Sequence, residues 1–239
     1  TVFKTKSDVL ICSSGPISTG LPILFSKSSF KIFEVRDLWP HGLIEMKKIP
    51  NFKFLNKILF SLEKKIYNSS DQIVTCSPAQ KKYLLNKYKF LVDDKIIVIE
   101  HGLDKRMSFF YDENKGRKNK NLDFKYWIVS ATMGYIHDPL KWIKFSKILN
   151  KLDKTIKLVI IGSGPLYNEF EIKVKNDKIK NIILTGQISK NKLSEWLLVA
   201  EFSLFTTLDN KIQKTSAPNK IYDYLAFNLP ILIDIDMWL

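Results

Sequence analysis

The chain has 239 residues and a formal net charge of +14, and 45% of its residues are hydrophobic. This is the composition of a globular protein with one large domain or two small ones, and it excludes a disordered, coiled-coil or collagen-like chain. No apolar run approaches the ~20 residues that span a bilayer. Cys12 and Cys76 are the only cysteines, which excludes a disulfide framework and a zinc site of the usual ligand number, so a reducing cytosol is the expected compartment.

The positive charge comes almost entirely from lysine, since Arg36, Arg106 and Arg117 are the only arginines. A strongly basic balance is typical of nucleic-acid or anionic-membrane binding, but a biased genome produces the same balance without selection for charge. The chain begins at Thr1 and stops at Leu239 directly after a strand-like run. We therefore expect a fragment truncated at both ends.

In the first half, short apolar runs alternate with longer amphipathic stretches, a pattern that predicts β-α units and a parallel sheet. The helical spacing of Phe54, Ile58, Leu62 and Ile66 is one example of such a stretch. Residues 1–104 are thus predicted to form one α/β domain. Its strands are predicted at 8–12, 30–35, 72–76 and 96–99, and its helices at 51–68 and 78–88.

Residues 105–123 are charged, without sustained periodicity, and are predicted to be a connector. A second α/β series over 124–239 follows. Its strands are predicted at 126–131, 156–161, 181–184, 202–205 and 231–234, and its helices at 140–151, 165–175, 190–199 and 218–228. Two α/β halves suggest a ligand in the cleft between them, facing the carboxyl ends of the strands.

The stretch from Ser216 to Asp223 predicts a helix that begins at an anion site. Ser216 is a suitable helix cap and Pro218 suits the first turn, while Lys220 adds a cation that is unfavourable there unless an anion is bound. Asp223 shares a face with Asn219 and lies one turn further on, at a distance suited to ribose hydroxyls. A capped surface helix with a solvated carboxylate explains the same residues equally well.

Two glycine-containing turns follow predicted strands. Gly162-Ser163-Gly164 lacks the third glycine of the dinucleotide fingerprint, so a plain strand-to-helix turn is the preferred interpretation. Gly134 would let the backbone approach a phosphate or sugar. His137, close behind it, is assigned no role.

Arg36 and Asp37 follow a predicted strand at its carboxyl end, where open α/β sheets place their sites. They are interpreted either as site residues or as an anchor for the loop with Trp39 in the core. His41 is either a general base or an exposed side chain.

The segment 47–65 mixes lysines with phenylalanine, leucine and isoleucine. Such a segment is typical of a helix that lies on an anionic bilayer. A domain face with a lysine exterior is the slightly preferred alternative.

Taken in chain order, several motifs resemble the donor-binding half of family 4 glycosyltransferases. They are ATMG, LVIIGSGP, NIILTGQIS, SAPNK and IYDYLAFNLPIL. VRDLWP, DQIVTCSPAQKKYL and IEHGLD resemble the acceptor half, especially of members that build bacterial surface polysaccharides. The resemblance covers nearly the whole chain.

The resemblance implies a GT-B fold, with two Rossmann-like domains, parallel sheets and an interdomain cleft. It also implies retaining, metal-independent sugar transfer from a nucleotide-sugar donor, with no cofactor. Arg36 and Asp37 would face the reacting sugar from the first domain, and Lys220 would complete the catalytic set. The implied donor-binding residues are Thr132, Met133, Gly134, Gln187, Ile188, Ser216, Pro218, Asn219 and Asp223.

Within that set, Gln187 and Ile188 would flank the nucleobase, Asp223 would bind the ribose, and the other donor-binding residues would lie near the diphosphate and sugar.

Two features depart from the family. Where many members carry glutamates eight residues apart, this chain has Thr215 and Asp223, and residues 132–141 hold no convincing arginine–lysine pair.

The predicted function is therefore transfer of a sugar to a glycan or lipid-linked acceptor in bacterial cell-surface polysaccharide synthesis. The predicted location is the cytoplasm, at the inner face of the cytoplasmic membrane if the basic segment binds lipid. The alternatives are a non-catalytic nucleotide-sugar-binding relative and a basic nucleic-acid-binding protein.

Overall fold

The computed structural model describes residues 7–45, 52–103 and 123–238. The predicted connector lies outside the described residues except for Asp123, as do residues 47–51 of the basic segment. Contacts divide the chain into two units. The first contains Thr1–His101, Asp209–Ala217 and Met237–Leu239, and the second contains Gly102–Leu208 and Pro218–Asp236.

The first unit is built on a four-stranded parallel sheet with the order β1-β2-β3-β4. The strands are β1 (Val9–Ser13), β2 (Phe30–Val35), β3 (Gln72–Thr75) and β4 (Ile96–Val98), and the helices are α1 (Leu21–Phe25), α2 (His41–Glu45), α3 (Lys53–Ser69) and α4 (Pro78–Lys87). One sheet face forms a core in which Phe33 and Ile73 pack with Ile66 of α3 and Leu84 of α4.

The opposite face of this sheet is apolar but exposed. The strand register places Val9 beside Phe30 and Ile11 beside Ile32. Val9, Ile11 and Phe30 are exposed, and so is Ile97 on β4. The first sheet therefore has one packed face and one face that presents large apolar side chains to solvent.

The second unit contains a five-stranded parallel sheet with the order β7-β6-β5-β8-β9. Its strands are β5 (Lys125–Ser130), β6 (Ile156–Ile161), β7 (Ile182–Gly186), β8 (Phe202–Phe205) and β9 (Ile231–Ile233), and its helices are α5 (Pro139–Leu152), α6 (Tyr167–Asn176), α7 (Lys190–Leu197) and α8 (Asn219–Ala226). Both faces are packed: Trp142 and Phe170 cover one, while Tyr126 on the other donates its hydroxyl to the carbonyl oxygen of Trp196 at 2.6 Å.

The α/β fold with two parallel sheets confirms the predicted fold class. The domain boundary differs from the prediction, because residues 209–217 belong to the first unit. Ile212 is buried in the first core, and the Ser77 hydroxyl donates to the carbonyl oxygen of Thr215 at 2.6 Å. The second unit is therefore interrupted. Among the described helices, none is both long enough and apolar enough to cross a membrane.

Candidate functional site

An open pocket of about 470 Å³ lies at the carboxyl edge of the second sheet. The loops that follow β5, β6 and β7 form its walls, and the first turn of α8 contributes one side chain. Ligands of open α/β sheets bind outside this edge, where neighbouring loops diverge. The lining residues are Ser130, Ala131, Thr132, Ile161, Gly162, Ser163, Gly164, Gln187, Ile188, Leu193 and Lys220.

Backbone hydrogen bonds join the first two loops of the pocket. The Met133 N–H donates to the Ser163 carbonyl at 3.0 Å, and the Leu166 N–H donates to the Met133 carbonyl at 3.0 Å. Gly162 has a φ of +140°, and a Cβ there would lie 1.9 Å from the carbonyl oxygen of Ala131. Only glycine fits this close approach, so Gly162 sets the spacing of the two loops.

The Gly162-Ser163-Gly164 turn is therefore a wall of the pocket as well as a connection from strand to helix. The preferred interpretation from the sequence missed this role because it tested the turn against the three-glycine dinucleotide pattern. The available signal was the position of both glycines directly after a buried strand, where backbone amides face a ligand without a side chain between them.

Lys220 is the basic residue of the pocket lining and occupies the second position of α8. It is half-buried. Burial lowers the pKa of the Lys220 ammonium, and the carboxylate of Asp223 partly opposes this change. A poorly hydrated cation beside a helix amino terminus gains most from an anionic ligand.

The predicted cap of α8 is wrong. The helix begins at Asn219 with Pro218 as its N-cap, and no side chain caps it. Ser216 instead follows a short 3₁₀ turn at Gln213–Thr215 and donates its hydroxyl to the carbonyl oxygen of Gln213 at 2.7 Å. Ala217 and Pro218 separate Ser216 from Asn219, the first residue of α8. Pro218 therefore lies before the helix rather than inside it.

The structure brings four predicted site residues together in the pocket: Thr132, Gln187, Ile188 and Lys220. The Met133 side chain is buried in the second core, so only its backbone follows the pocket loop. A second set lies outside the lining, and the assigned roles of its members remain predictions. These residues are Gly134, Ser216, Pro218, Asn219 and Asp223.

Arg36 and Asp37 belong to the first unit and follow β2 at its carboxyl end, and each residue retains an exposed surface. Their backbone N–H groups donate to the Ser14 hydroxyl oxygen at 2.9 and 3.1 Å. The surrounding loop reduces hydration of the Asp37 carboxylate and raises its pKa, while the Arg36 charge opposes this rise. The loop is thus anchored through its backbone, and the predicted role of both side chains stays a prediction.

His41 is engaged within the first unit. Its Nδ1 contacts the Tyr83 hydroxyl, and its Nε2 lies 3.6 Å from the Glu45 Oε1. Burial lowers the His41 pKa, the charge of Lys87 lowers it further, and Glu45 opposes the change. These contacts hold the ring in place and favour a structural role.

His137 connects two loops at the carboxyl edge of the second sheet. Its Nδ1 donates to the Thr206 carbonyl at 2.9 Å, and the Thr206 hydroxyl donates to the His137 carbonyl at 2.6 Å. Burial lowers the His137 pKa, and the hydrogen bond to the Thr206 carbonyl opposes this change. The loop after β5 is thereby tied to the loop after β8.

Lys141, the lysine within residues 132–141, is also engaged. Lys141 Nζ lies 2.5 Å from Asp234 Oδ2 and donates to the Thr207 carbonyl at 2.7 Å. It therefore fixes the loops after β8 and β9.

Comparisons with known proteins give structural neighbours only. No protein-family model matches the chain, and no curated protein matches it by sequence. A mutant of S. aureus TarM in complex with Fondaparinux, alpha-GlcNAc-glycerol and UDP superposes with a TM-score of 0.67 at 13% identity, over 97% of this chain and 42% of that one. Anabaena HepE in complex with UDP-glucose gives 0.67 at 9% identity, over 95% and 59%.

WaaG, a glycosyltransferase involved in lipopolysaccharide biosynthesis, gives a TM-score of 0.64 at 11% identity, over 84% of this chain and 55% of that one. The chain thus spans about half the length of these neighbours. The fold is that of the GT-B glycosyltransferases, in which two α/β units each carry a parallel sheet.

Proposed function

We propose that the chain forms part of a family 4 glycosyltransferase that binds a nucleotide sugar in the pocket of the second unit. It transfers the sugar with retention of configuration to a glycan or lipid-linked acceptor in bacterial cell-surface polysaccharide synthesis. The observation that carries this proposal is Lys220, a half-buried cation in a pocket walled by a glycine loop. The complexes of HepE with UDP-glucose and of TarM with UDP support a nucleotide-sugar ligand.

The reaction breaks the bond between the anomeric carbon and the diphosphate and forms a bond to the acceptor hydroxyl oxygen, and the hydroxyl proton passes to the leaving diphosphate. Negative charge grows on the leaving diphosphate. The Lys220 ammonium stabilises that charge, and a donor of this kind is typically worth about 3 kcal/mol in the transition state. We assign no metal or cofactor to this step, and the nucleotide sugar is a substrate.

The remaining roles follow the layout of the pocket. Gln187 and Ile188 line it after β7 and are proposed to flank the nucleobase. The loop after β5 and the backbone N–H groups of Ser163 and Gly164 in the glycine turn are proposed to approach the phosphates. Asp223 is proposed to bind the ribose, and Arg36 and Asp37 to act on the reacting sugar. We propose a cytoplasmic location, at the inner face of the cytoplasmic membrane if the basic segment binds lipid.

Calorimetric titration with UDP-glucose and other nucleotide sugars tests the donor site. We expect one of them to bind and Lys220→Ala to lower its affinity about tenfold to a hundredfold, since a hydrogen bond to a charged group contributes about 1.5–3 kcal/mol. Lys190→Ala, at the exposed start of α7, is the matched control. Equal affinity for both variants, or saturable binding of an oligonucleotide alone, would reject the proposal.

A second candidate is a nucleotide-sugar-binding protein without transferase activity. The engagement of Lys141 by Asp234 favours it, because this lysine is held away from a role as a second phosphate-binding cation. Release of nucleotide from a bound donor in the presence of acceptor glycans separates the two candidates. Binding without release supports the second one.

A further inference from the structure

A second pocket lies in the second unit, between the amino-terminal turns of α5 and α6. Its volume is about 190 Å³, and none of the described residues that line it also lines the pocket that contains Lys220. Leu166, one of its lining residues, donates its backbone N–H to the Met133 carbonyl oxygen at 3.0 Å. This pocket, which we call the α5–α6 pocket, is thus fixed to the loop after β5 but is separate from the donor site.

The interior of the α5–α6 pocket is mainly apolar. Its apolar lining residues are Tyr135, Pro139, Leu140, Leu166 and Phe170. Phe170 is buried and contacts Trp142 of the second core, with the ring centroids 5.8 Å apart. Leu140 and Tyr135, in contrast, have 45% and 54% of their surface exposed. A ligand that covers these side chains would remove apolar surface from water, which is favourable.

Two carboxylates complete the lining. Asp138 directly precedes α5, and Glu169 lies in the first turn of α6. In the part of the chain that the structure describes, neither carboxylate takes part in an ion pair or a side-chain hydrogen bond. The described lining contains no lysine or arginine, although the chain has 38 of these residues against 24 acidic ones. The charge of the pocket is therefore opposite in sign to that of the protein.

Apolar walls beside two carboxylates are complementary to an organic cation with a hydrocarbon chain. A metal ion gains nothing from apolar walls and needs more oxygen ligands than two carboxylates supply. Among the described residues, no group of three or more histidine, cysteine, aspartate or glutamate side chains could hold one. A protonated amine instead places its charge on the carboxylates and its methylene groups on the leucines, and the Tyr135 ring adds an attraction for the cation.

The size of the pocket limits the ligand. A volume of 190 Å³ equals that of about six water molecules in the liquid. A short linear chain fits this space, whereas a nucleotide does not. Two carboxylates match two ammonium groups.

We propose that the α5–α6 pocket binds a linear aliphatic diamine. Its hydrocarbon chain lies against Leu140 and Leu166, and its ammonium groups are bound by Asp138 and Glu169. This inference goes beyond the donor reaction and does not depend on it.

Calorimetric titration of the whole chain with cadaverine, a short linear diamine, tests the proposal. We expect saturable binding at one site. Pentanediol has the same chain length without charge, and magnesium chloride carries two charges without a hydrocarbon chain. We expect no binding of pentanediol, and we expect magnesium at the concentration of the diamine to leave diamine binding unchanged.

Three variants remove single parts of the pocket. Asp138→Asn should weaken cadaverine binding about tenfold because the half-buried carboxylate makes a charge-assisted hydrogen bond. Asp138 has a φ of 45°, which asparagine also adopts, so this variant retains the backbone. Glu169 is exposed, and Glu169→Gln should weaken binding about threefold. Leu140→Ala should do so to a similar extent through loss of apolar contact.

Matched control variants lie on the same two helices. Glu171→Gln removes a carboxylate of α6 that pairs with Lys175 outside the pocket. Leu152→Ala shortens a side chain that is 79% exposed at the other end of α5. Both should bind cadaverine like the parent chain. Circular dichroism confirms that each variant is folded, and titration with UDP-glucose reports the donor site separately.

Four results would overturn the proposal. They are no saturable binding of cadaverine by the folded parent chain, equal binding of pentanediol, displacement of cadaverine by an equal concentration of magnesium, and an equal loss of affinity in Asp138→Asn and Glu171→Gln. Failure of UDP-glucose to bind would reject the donor site and leave the diamine site unaffected.

Discussion

The hydroxyl oxygen of Tyr224 accepts a hydrogen bond from the backbone N–H of Ser130 at 2.8 Å. Tyr224 lies on α8, one turn after Lys220, and Ser130 is the last residue of β5 and part of the pocket lining. This contact fixes the helix that carries the pocket lysine against the strand that begins the pocket wall.

Removing that hydroxyl should loosen the position of Lys220. Tyr224→Phe leaves the Ser130 N–H without this partner in a part-buried place, which should lower the free energy of unfolding by about 1–3 kcal/mol. We expect weaker binding of the nucleotide sugar as well, measured by calorimetry. Tyr167→Phe at the start of α6 is the control, and an equal effect of both variants on binding would contradict the positioning role.

Gly162 should not tolerate a side chain. Gly162→Ala places Cβ 1.9 Å from the Ala131 carbonyl oxygen at a φ of +140°, so we expect a loss of stability of at least about 1–3 kcal/mol in guanidinium denaturation. The matched control is Gly134→Ala. Its Cβ would come no closer than 4.0 Å to another group, and we expect a change within about 0.5 kcal/mol. Similar stabilities of the two variants would show that the loops after β5 and β6 can move apart without a loss of free energy of unfolding.

Donor binding should weaken at alkaline pH. Burial lowers the Lys220 pKa, so the ammonium loses its proton at a lower pH than a solvated lysine, and an anionic ligand loses its partner as pH rises through that pKa. Asp223 favours the charged form, and Asp223→Asn should shift the loss of affinity to lower pH. Titrations with UDP-glucose between pH 7 and pH 10 measure this shift.

Lys220→Gln is the reference variant for the measurements between pH 7 and pH 10. Any titration of the nucleotide itself affects binding by this variant and by the parent chain alike. The lysine-dependent part of the profile should be absent from this variant. A profile identical to that of the parent would show that another group controls binding.

Glu63 should be required for stability of the first unit. Its buried carboxylate accepts hydrogen bonds from the hydroxyls of Tyr67 and Tyr88, and Lys87 Nζ lies 3.5 Å away. Glu63→Ala leaves the Lys87 ammonium without its carboxylate, which should cost about 3–5 kcal/mol in chemical denaturation. Glu171→Ala breaks the Lys175–Glu171 pair at a more exposed site and should change stability by less than about 1 kcal/mol.

Much of the fold could be predicted because its strands are short buried runs with sharp ends. The runs at Phe30–Val35, Ile156–Ile161 and Phe202–Phe205 form strands with the predicted bounds. The short helices α1 and α2 were missed, because five residues are too few to show helical periodicity. The placement of residues 209–217 in the first unit was missed because Ile212 contacts a core that is remote in sequence.

The candidate site was predicted in part. Gln187 follows the predicted strand 181–184, and Lys220 lies in the first turn of the predicted helix 218–228. The carboxyl end of that strand and the amino end of that helix meet at one sheet edge, and the pocket includes both residues. The glycine turn was undervalued because the close approach that excludes a Cβ at Gly162 is made by the Ala131 backbone, which is remote in sequence. The Ser216 cap was misassigned because capping depends on where the first turn begins, and composition does not fix that to one residue.

The open face of the first sheet has a topological consequence. Strands β1 to β4 follow one another across the sheet in a single direction, and right-handed crossovers then place every connecting helix on the same side. The second sheet starts at its central strand and extends both ways, so helices reach both of its sides. A helix that covers Val9, Ile11 and Phe30 must lie on the opposite side of the first sheet. A right-handed crossover places a helix there only if the two strands that it joins follow each other across the sheet in the opposite direction.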